Sequence, residues 1–243
     1  MEVSSPIDRF LEDETPSDEI TDGTGGAPKD SWVFLGGKQV RASSINVAIL
    51  GSGSFGTSMG VYLAGKGVNV TIVVRKPEVA EAINHEHRNP SHLSEIELPP
   101  NMGACVDPAL AFGDADFIFH AVPCQFSRAT LSNIRHLMPP EVPVICLTKG
   151  IETESLMMMS EVLEDVLGKE RPMAYLSGPS FAMEIAQGLA TAVTIASSDR
   201  DLGNDVMSLL KSRQFRGLCA LARAPQPHPA ARCAPSPLGP CRA

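Results

Sequence analysis

Between Asn46 and Val74 two apolar, largely β-branched runs flank a glycine-rich turn and a helical stretch. That order leaves few folds open. Asn46-Val-Ala-Ile-Leu50 reads as a buried strand, and the turn follows at once. Phe55–Gly65 carries Met59, Tyr62 and Leu63 at helical spacing before Gly65 and Gly67 stop it. Asn69-Val-Thr-Ile-Val-Val74 is a second strand, so the stretch is one βαβ unit.

The alternation continues downstream. Phe117–Val122 reads as a strand closed by Pro123, 126–137 as a helix, Val144–Leu147 as a strand and 155–167 as a helix. Met173–Leu176 and Ala192–Ala196 are further strands, with helices over 181–187 and 202–210. Nearly continuous apolar strands alternating with amphipathic helices predict a mostly parallel sheet covered on both faces. The expected domain spans residues 45–216.

The flanks differ in composition. Residues 1–30 hold nine acids against Arg9 and Lys29, which accounts for most of the net charge of −8 over 243 residues. Self-repulsion and the small number of apolar residues in that first segment predict an extended acidic arm over 1–44 with no targeting features. From Gly217 the pattern collapses into a run with prolines at 225, 227, 229, 235, 237 and 240 and no acid. Such a run cannot continue a helix or a central strand, so 217–243 reads as a disordered Pro/Ala-rich tail.

Composition excludes several function classes. The acidic balance argues against nucleic acid as a partner, and no apolar stretch is long enough for a membrane-inserted helix. Cysteines 105, 124, 146, 219, 233 and 241 lack paired spacing and read as reduced thiols. His85, His87 and His92 lie close together, but no further ligand or scaffold for a metal accompanies them.

Gly51-Ser52-Gly53-Ser54-Phe55-Gly56 is a G-x-G-x-x-G segment placed between strand and helix. Gly51 permits the tight turn, Gly53 lets backbone approach a diphosphate, and Gly56 lets helix and strand pack closely. The helix then directs bare N–H groups and its positive dipole end at the phosphates. Arg75 falls where dinucleotide sites for NAD place an acid, and a guanidinium there suits a 2′-phosphate. This points to NADPH, with NADH as the alternative; Lys76 reads as a solvated surface charge.

The glycine segment, Arg88-Asn-Pro90, His120-Ala-Val-Pro-Cys-Gln-Phe126, Leu147-Thr-Lys-Gly-Ile-Glu152 and Leu176–Ala186 stand together in order. In this the chain, from about Ile45 to Arg216, resembles the N-terminal domain of bacterial and plastid-type NAD(P)-dependent glycerol-3-phosphate dehydrogenases. The resemblance implies an α/β, Rossmann-type doubly wound, mostly parallel sheet. It also implies hydride transfer between sn-glycerol 3-phosphate and dihydroxyacetone phosphate, which supplies glycerolipid synthesis. Ser54 and Phe55 match residues lining the cofactor, Arg75 its adenosine end, Phe126 the neighbour of the nicotinamide, and Ala182 a further contact. Lys149 matches a lysine touching both cofactor and substrate, and Gly178 and Ser180 match the substrate loop. Family members are often homodimers, in cytoplasm or plastid.

The family's second half is a helical domain whose G-A-x-K-N segment carries the lysine that exchanges the proton with substrate. Here the resemblance stops near Phe215-Arg216 and the tail follows, with a composition that out-of-frame translation of GC-rich DNA would give. Lys211, the last lysine, lies in the final helix of the sheet domain and lacks that context. The expectation is a cofactor domain truncated before its substrate domain, with no residue assigned as general acid or base and catalysis impaired. The alternatives are a non-catalytic nucleotide-binding protein and another phosphate-handling dehydrogenase of similar fold.

Overall fold

In a computed structural model of the protein, residues 31–221 are described. They open on a hairpin, β1 (Trp32–Leu35) paired antiparallel with β2 (Lys38–Arg41). Gly36 and Gly37, at φ +55° and +74°, form its two-residue turn, and only glycine takes two successive left-handed positions readily. The hairpin is anchored on the far side of the molecule, where the Phe34 amide donates to Ser208 Oγ and the Gly36 amide to Asp205 Oδ1.

The main sheet begins with β3 (Asn46–Leu50), followed by α1 (Ser54–Gly65), β4 (Asn69–Val73), α2 (Pro77–Glu81) and β5 (Met102–Cys105). The chain then crosses to the other side of β3 through α3 (Pro108–Phe112) to β6 (Phe117–His120). From there it proceeds outward through α4 (Cys124–Ile134), β7 (Val144–Cys146), α5 (Met159–Leu167) and β8 (Met173–Ser177). The last elements are α6 (Ala182–Ala186), β9 (Thr191–Ser197), α7 (Arg200–Leu210) and β10 (Phe215–Leu221). The resulting order is β10-β9-β8-β7-β6-β3-β4-β5, parallel throughout except for the β8–β9 pair.

The central strands are apolar on both sides because helices cover them on both sides, whereas β9, towards the edge, alternates buried and exposed residues and departs from the expected two-sided cover. Val47, Ile49, Phe117, Phe119, Ile145 and Val193 point to one face and pack with Met59 and Leu63 of α1 and Val206 and Leu209 of α7. Their neighbours Ala48, Leu50, Ile118, Val144 and Cys146 point to the other, against Phe112, Leu131, Val162 and Leu163 of α3, α4 and α5. The two-residue alternation of strand side chains thus divides one apolar run between two cores. The strand order reverses between β3 and β6, and in open sheets of this kind ligands bind beyond the strand ends at that reversal.

Several expectations need correction. Residues 31–44 are not part of an extended arm: they form the hairpin and a 3-10 turn (Ala42–Ser44) that joins it to β3. Nor does the sheet stop at Arg216, because β10 runs parallel to β9 as far as Leu221. Residues 1–30 and 222–243, with the rest of the expected acidic arm and Pro/Ala-rich tail, lie outside the described residues. The helix expected from Ser155 begins at Met159, and Lys211 lies just past α7, whose last residue is Leu210. Among the described residues no group of three His, Cys, Asp or Glu could hold a metal ion. No helix there is long and apolar enough to cross a membrane.

One core residue is out of place chemically. His120 closes β6, is 0% exposed, and its Nδ1 has no hydrogen-bond partner. Nε2 lies 2.9 Å from Ser127 Oγ, which also reaches the Val122 carbonyl at 3.2 Å. Burial holds its pKa down at about 4, against the ordinary 6.5. The unfolded chain therefore binds a proton that the folded chain refuses between those values, and stability falls as pH drops through that window. Chemical denaturation at a series of pH values should show His120→Leu losing up to about 3 kcal/mol less than the parent protein between pH 6.5 and pH 4. Parallel curves would contradict the assignment.

Candidate functional site

The first loop beyond the strand reversal is the glycine segment. Gly51 takes φ +116°, and a Cβ there would lie 2.8 Å from the Ala121 carbonyl oxygen, just past β6. The Ala121 amide donates to the Leu50 carbonyl at 2.8 Å, so the loops after β3 and β6 are laced together. At Gly56 a Cβ would collide with the Gly51 carbonyl oxygen. The turn therefore closes directly onto the first turn of α1.

Gly53 is the opposite case. It lies at φ −68°, and a Cβ there would meet nothing within 4 Å. This open face lies at the start of α1, where Thr57 is the first amide with an intrahelical acceptor, the Gly53 carbonyl at 2.9 Å. The amides of Ser54, Phe55 and Gly56 precede it and are the free donors that a helix N-terminus offers. Ser52 and Ser54 line the same loop, and Ser54 Oγ lies 3.5 Å from His92 Nδ1. The cradle fits a diphosphate: it is open, edged by amides, and at the positive end of a helix dipole.

A second group of residues converges beside it. Lys149 follows β7, and its Nζ donates to the Gly178 carbonyl at 2.7 Å and to Ser180 Oγ at 3.1 Å. The same ammonium lies 5.4 Å from the Phe55 ring centroid, a cation–π contact. Four of the expected residues, Phe55, Lys149, Gly178 and Ser180, are thus in one place although they come from the first turn of α1 and the segments after β7 and β8. Arg75 beyond β4, Phe126 in the first turn of α4 and Ala182 at the start of α6 sit along the same edge of the sheet. Arg75 is exposed, and Phe126 and Phe181 are 64% and 67% exposed. Lys76 is a solvated charge 3.9 Å from Glu78.

Sequence reasoning missed what holds Lys149 in place. Thr148 Oγ1 donates to the Val122 carbonyl at 2.7 Å. Gln125 accepts from the Thr153 amide and hydroxyl at 3.2 and 2.9 Å. Arg128 grips both oxygens of Glu152, which is 6% exposed, at 2.9 and 3.0 Å and also reaches Asp165. Hydrogen bonds from Arg128 and Ser155 hold the Glu152 carboxyl below the usual carboxylate range. Glu152 was part of the motif that carried the resemblance, but nothing in its spacing named Arg128 as its partner. Asn89, between the glycine turn and β5, was missed for the same reason.

The two glycines give opposed predictions. Gly53→Ala should fold within about 1 kcal/mol of the parent, the size of an N-cap change, while losing most of its affinity for a dinucleotide. Gly56→Ala should lower thermal stability sharply, because the turn and α1 must separate to admit the methyl group. Melting curves with dinucleotide titrations check both; a Gly53→Ala protein with full affinity would contradict the cradle.

The comparisons agree with this geometry. Residues 46–203 match the family model described as NAD-dependent glycerol-3-phosphate dehydrogenase N-terminus. The chain is 42% identical over 173 residues to the chloroplastic glycerol-3-phosphate dehydrogenase [NAD(+)] 2 of Arabidopsis thaliana, covering 70% of this chain and 41% of the relative. It is 39% identical to the glycerol-3-phosphate dehydrogenase [NAD(P)+] of Nitratidesulfovibrio vulgaris, covering 71% of this chain and 52% of that one. The crystal structure of glycerol-3-phosphate dehydrogenase from Coxiella burnetii superposes with a TM-score of 0.68 at 29% identity, over 73% of this chain and 54% of the other. The chain spans about half the length of these relatives. Through its Rossmann-type sheet and glycine turn, this chain belongs to the family of NAD(P)-dependent glycerol-3-phosphate dehydrogenases.

Proposed function

We propose that this chain binds NADPH or NADH with the diphosphate at the N-terminus of α1, as the cofactor half of a glycerol-3-phosphate dehydrogenase. The observation that carries the reading is the open face of Gly53, with Lys149 packed on Phe55 beside it. In this reading the amides from Gly53 to Gly56 hold the diphosphate, while Ser52, Ser54 and Phe55 line it. Arg75 takes the adenosine end, and Phe126 and Ala182 border the nicotinamide side. Bound there, the reduced nicotinamide supplies the hydride for interconversion of dihydroxyacetone phosphate and sn-glycerol 3-phosphate.

Lys149 has two roles open to it. Its ammonium can neutralise phosphate charge or polarise the carbonyl that becomes the alcohol. Gly178 and Ser180 hold it now, and a substrate oxygen would take over one of those hydrogen bonds. Reduction also needs a proton at the new alcohol oxygen, a step worth typically about 10²–10⁴ in rate. The resemblance places that donor in the family's helical half, beyond the matched residues 46–203. The chloroplastic name of the plant relative supports a plastid location, with the cytoplasm as the alternative that the resemblance implies.

Calorimetric titration should show binding of NADPH or NADH. Arg75→Ala should weaken NADPH by about tenfold and leave NADH nearly unchanged, because only NADPH carries the 2′-phosphate. Dihydroxyacetone phosphate-dependent oxidation of the cofactor should be slow, and Lys149→Ala should abolish it. Absence of binding by either nucleotide to folded protein would overturn the proposal. Binding with no turnover at all would favour a nucleotide-binding protein without the chemistry.

A further inference from the structure

Asn89 is 0% exposed, although it belongs to the loop between a π-helical turn (Ala82–Glu86) and β5 and precedes Pro90. An asparagine amide offers two hydrogens and one acceptor oxygen, and here all are used. Oδ1 accepts the backbone amides of Ser91 and His92 at 3.0 and 3.2 Å. Nδ2 donates to the Ser52 carbonyl at 3.1 Å and to Thr57 Oγ1 at 2.8 Å. The orientation is fixed chemically, since backbone amides only donate and the Ser52 carbonyl only accepts.

The Thr57 hydroxyl also donates to the Ser52 carbonyl, at 3.2 Å. That one oxygen therefore receives two hydrogen bonds from buried side chains, Thr57 being 0% exposed as well. The peptide joining Ser52 and Gly53 is planar and trans, so its N–H points opposite to its C=O. With the carbonyl drawn towards the buried side chains, the Gly53 amide is turned away from them, and Gly53 borders the open cradle.

We propose that Asn89 is a positioning residue for the cofactor diphosphate: by holding the Ser52 carbonyl it aims the Gly53 amide at the phosphate oxygens. The role rests on the cofactor reading given above. It also ties the 89–92 loop to the turn, so that cofactor binding and the order of that loop are coupled through one side chain.

Asn89→Asp retains the oxygen facing Ser91 and His92 and places a second acceptor against the Ser52 carbonyl. It should weaken NADPH by about tenfold, the size of one lost charge-assisted hydrogen bond. Adenosine 2′-phosphate, which lacks the diphosphate, should bind within about twofold of its affinity for the parent. Thr57→Val, which removes the second bond to the same carbonyl, should weaken NADPH by about threefold with the same indifference to adenosine 2′-phosphate. It decides the matter if Asn89→Asp fails to fold. Unchanged NADPH affinity in the folded variants, or equal weakening of both ligands, overturns the role. If the parent binds neither NADPH nor NADH, the cofactor reading itself fails and this assignment falls with it.

Discussion

The glycine turn is held together by two contacts that leave no room for a side chain. Gly51 sits against the Ala121 carbonyl, and Gly56 sits against the Gly51 carbonyl. The first contact sets the loops after β3 and β6 side by side at the reversal of the strand order. The second brings the first turn of α1 directly over the end of β3. With a methyl group at either position the helix would shift outward, and its free amides would no longer edge a closed cradle. Gly53, between them, is open: a Cβ there would meet nothing within 4 Å.

The rest of the sheet supports that arrangement at longer range. The central strands contribute alternate residues to two cores, so helices cover both of their faces and leave the strand ends available to a ligand, whereas β9 buries one face and leaves Ala192 and Thr194 exposed. At that edge polar contacts between loops replace apolar packing. Lys149 reaches Gly178 and Ser180, and the segment that follows it is held on α4 by Gln125 and Arg128. The largely buried Glu152 is stabilised as a carboxylate by the Arg128 Nε–H, which its two oxygens share, and by the Ser155 hydroxyl. Rigid supports of this kind let a flexible lysine be presented at a defined place.

The parts of this fold that were legible in the sequence are those with strong local periodicity. The βαβ unit, the later strands and α7 carry enough apolar spacing to be read, and the glycine segment has meaning because it falls between a strand and a helix. The hairpin was missed although Phe34-Leu35-Gly36-Gly37-Lys38 contains a two-glycine turn signal. Its neighbours are acidic and polar, and the partner that makes it stable, α7, lies some 170 residues away in sequence. The last strand was missed because its residues, Gly217-Leu-Cys-Ala-Leu221, merge into a Pro/Ala-rich composition. Their strand pairing comes from β9, a tertiary partner that no local pattern reveals. Asn89 and Glu152 are of the same kind: their types are ordinary, and only their partners give them a role.

The central claim is that a diphosphate sits on the amides that follow Gly51. Amide chemical-shift mapping with ¹⁵N-labelled protein tests it directly, as glycine resonances are well resolved. Addition of NADPH or NADH should move the resonances of Gly53, Ser54, Phe55 and Gly56 most, with little change at Gly36 and Gly37 in the distant hairpin. Saturation with either nucleotide that left those four amides in place, or moved a different region instead, would contradict the account.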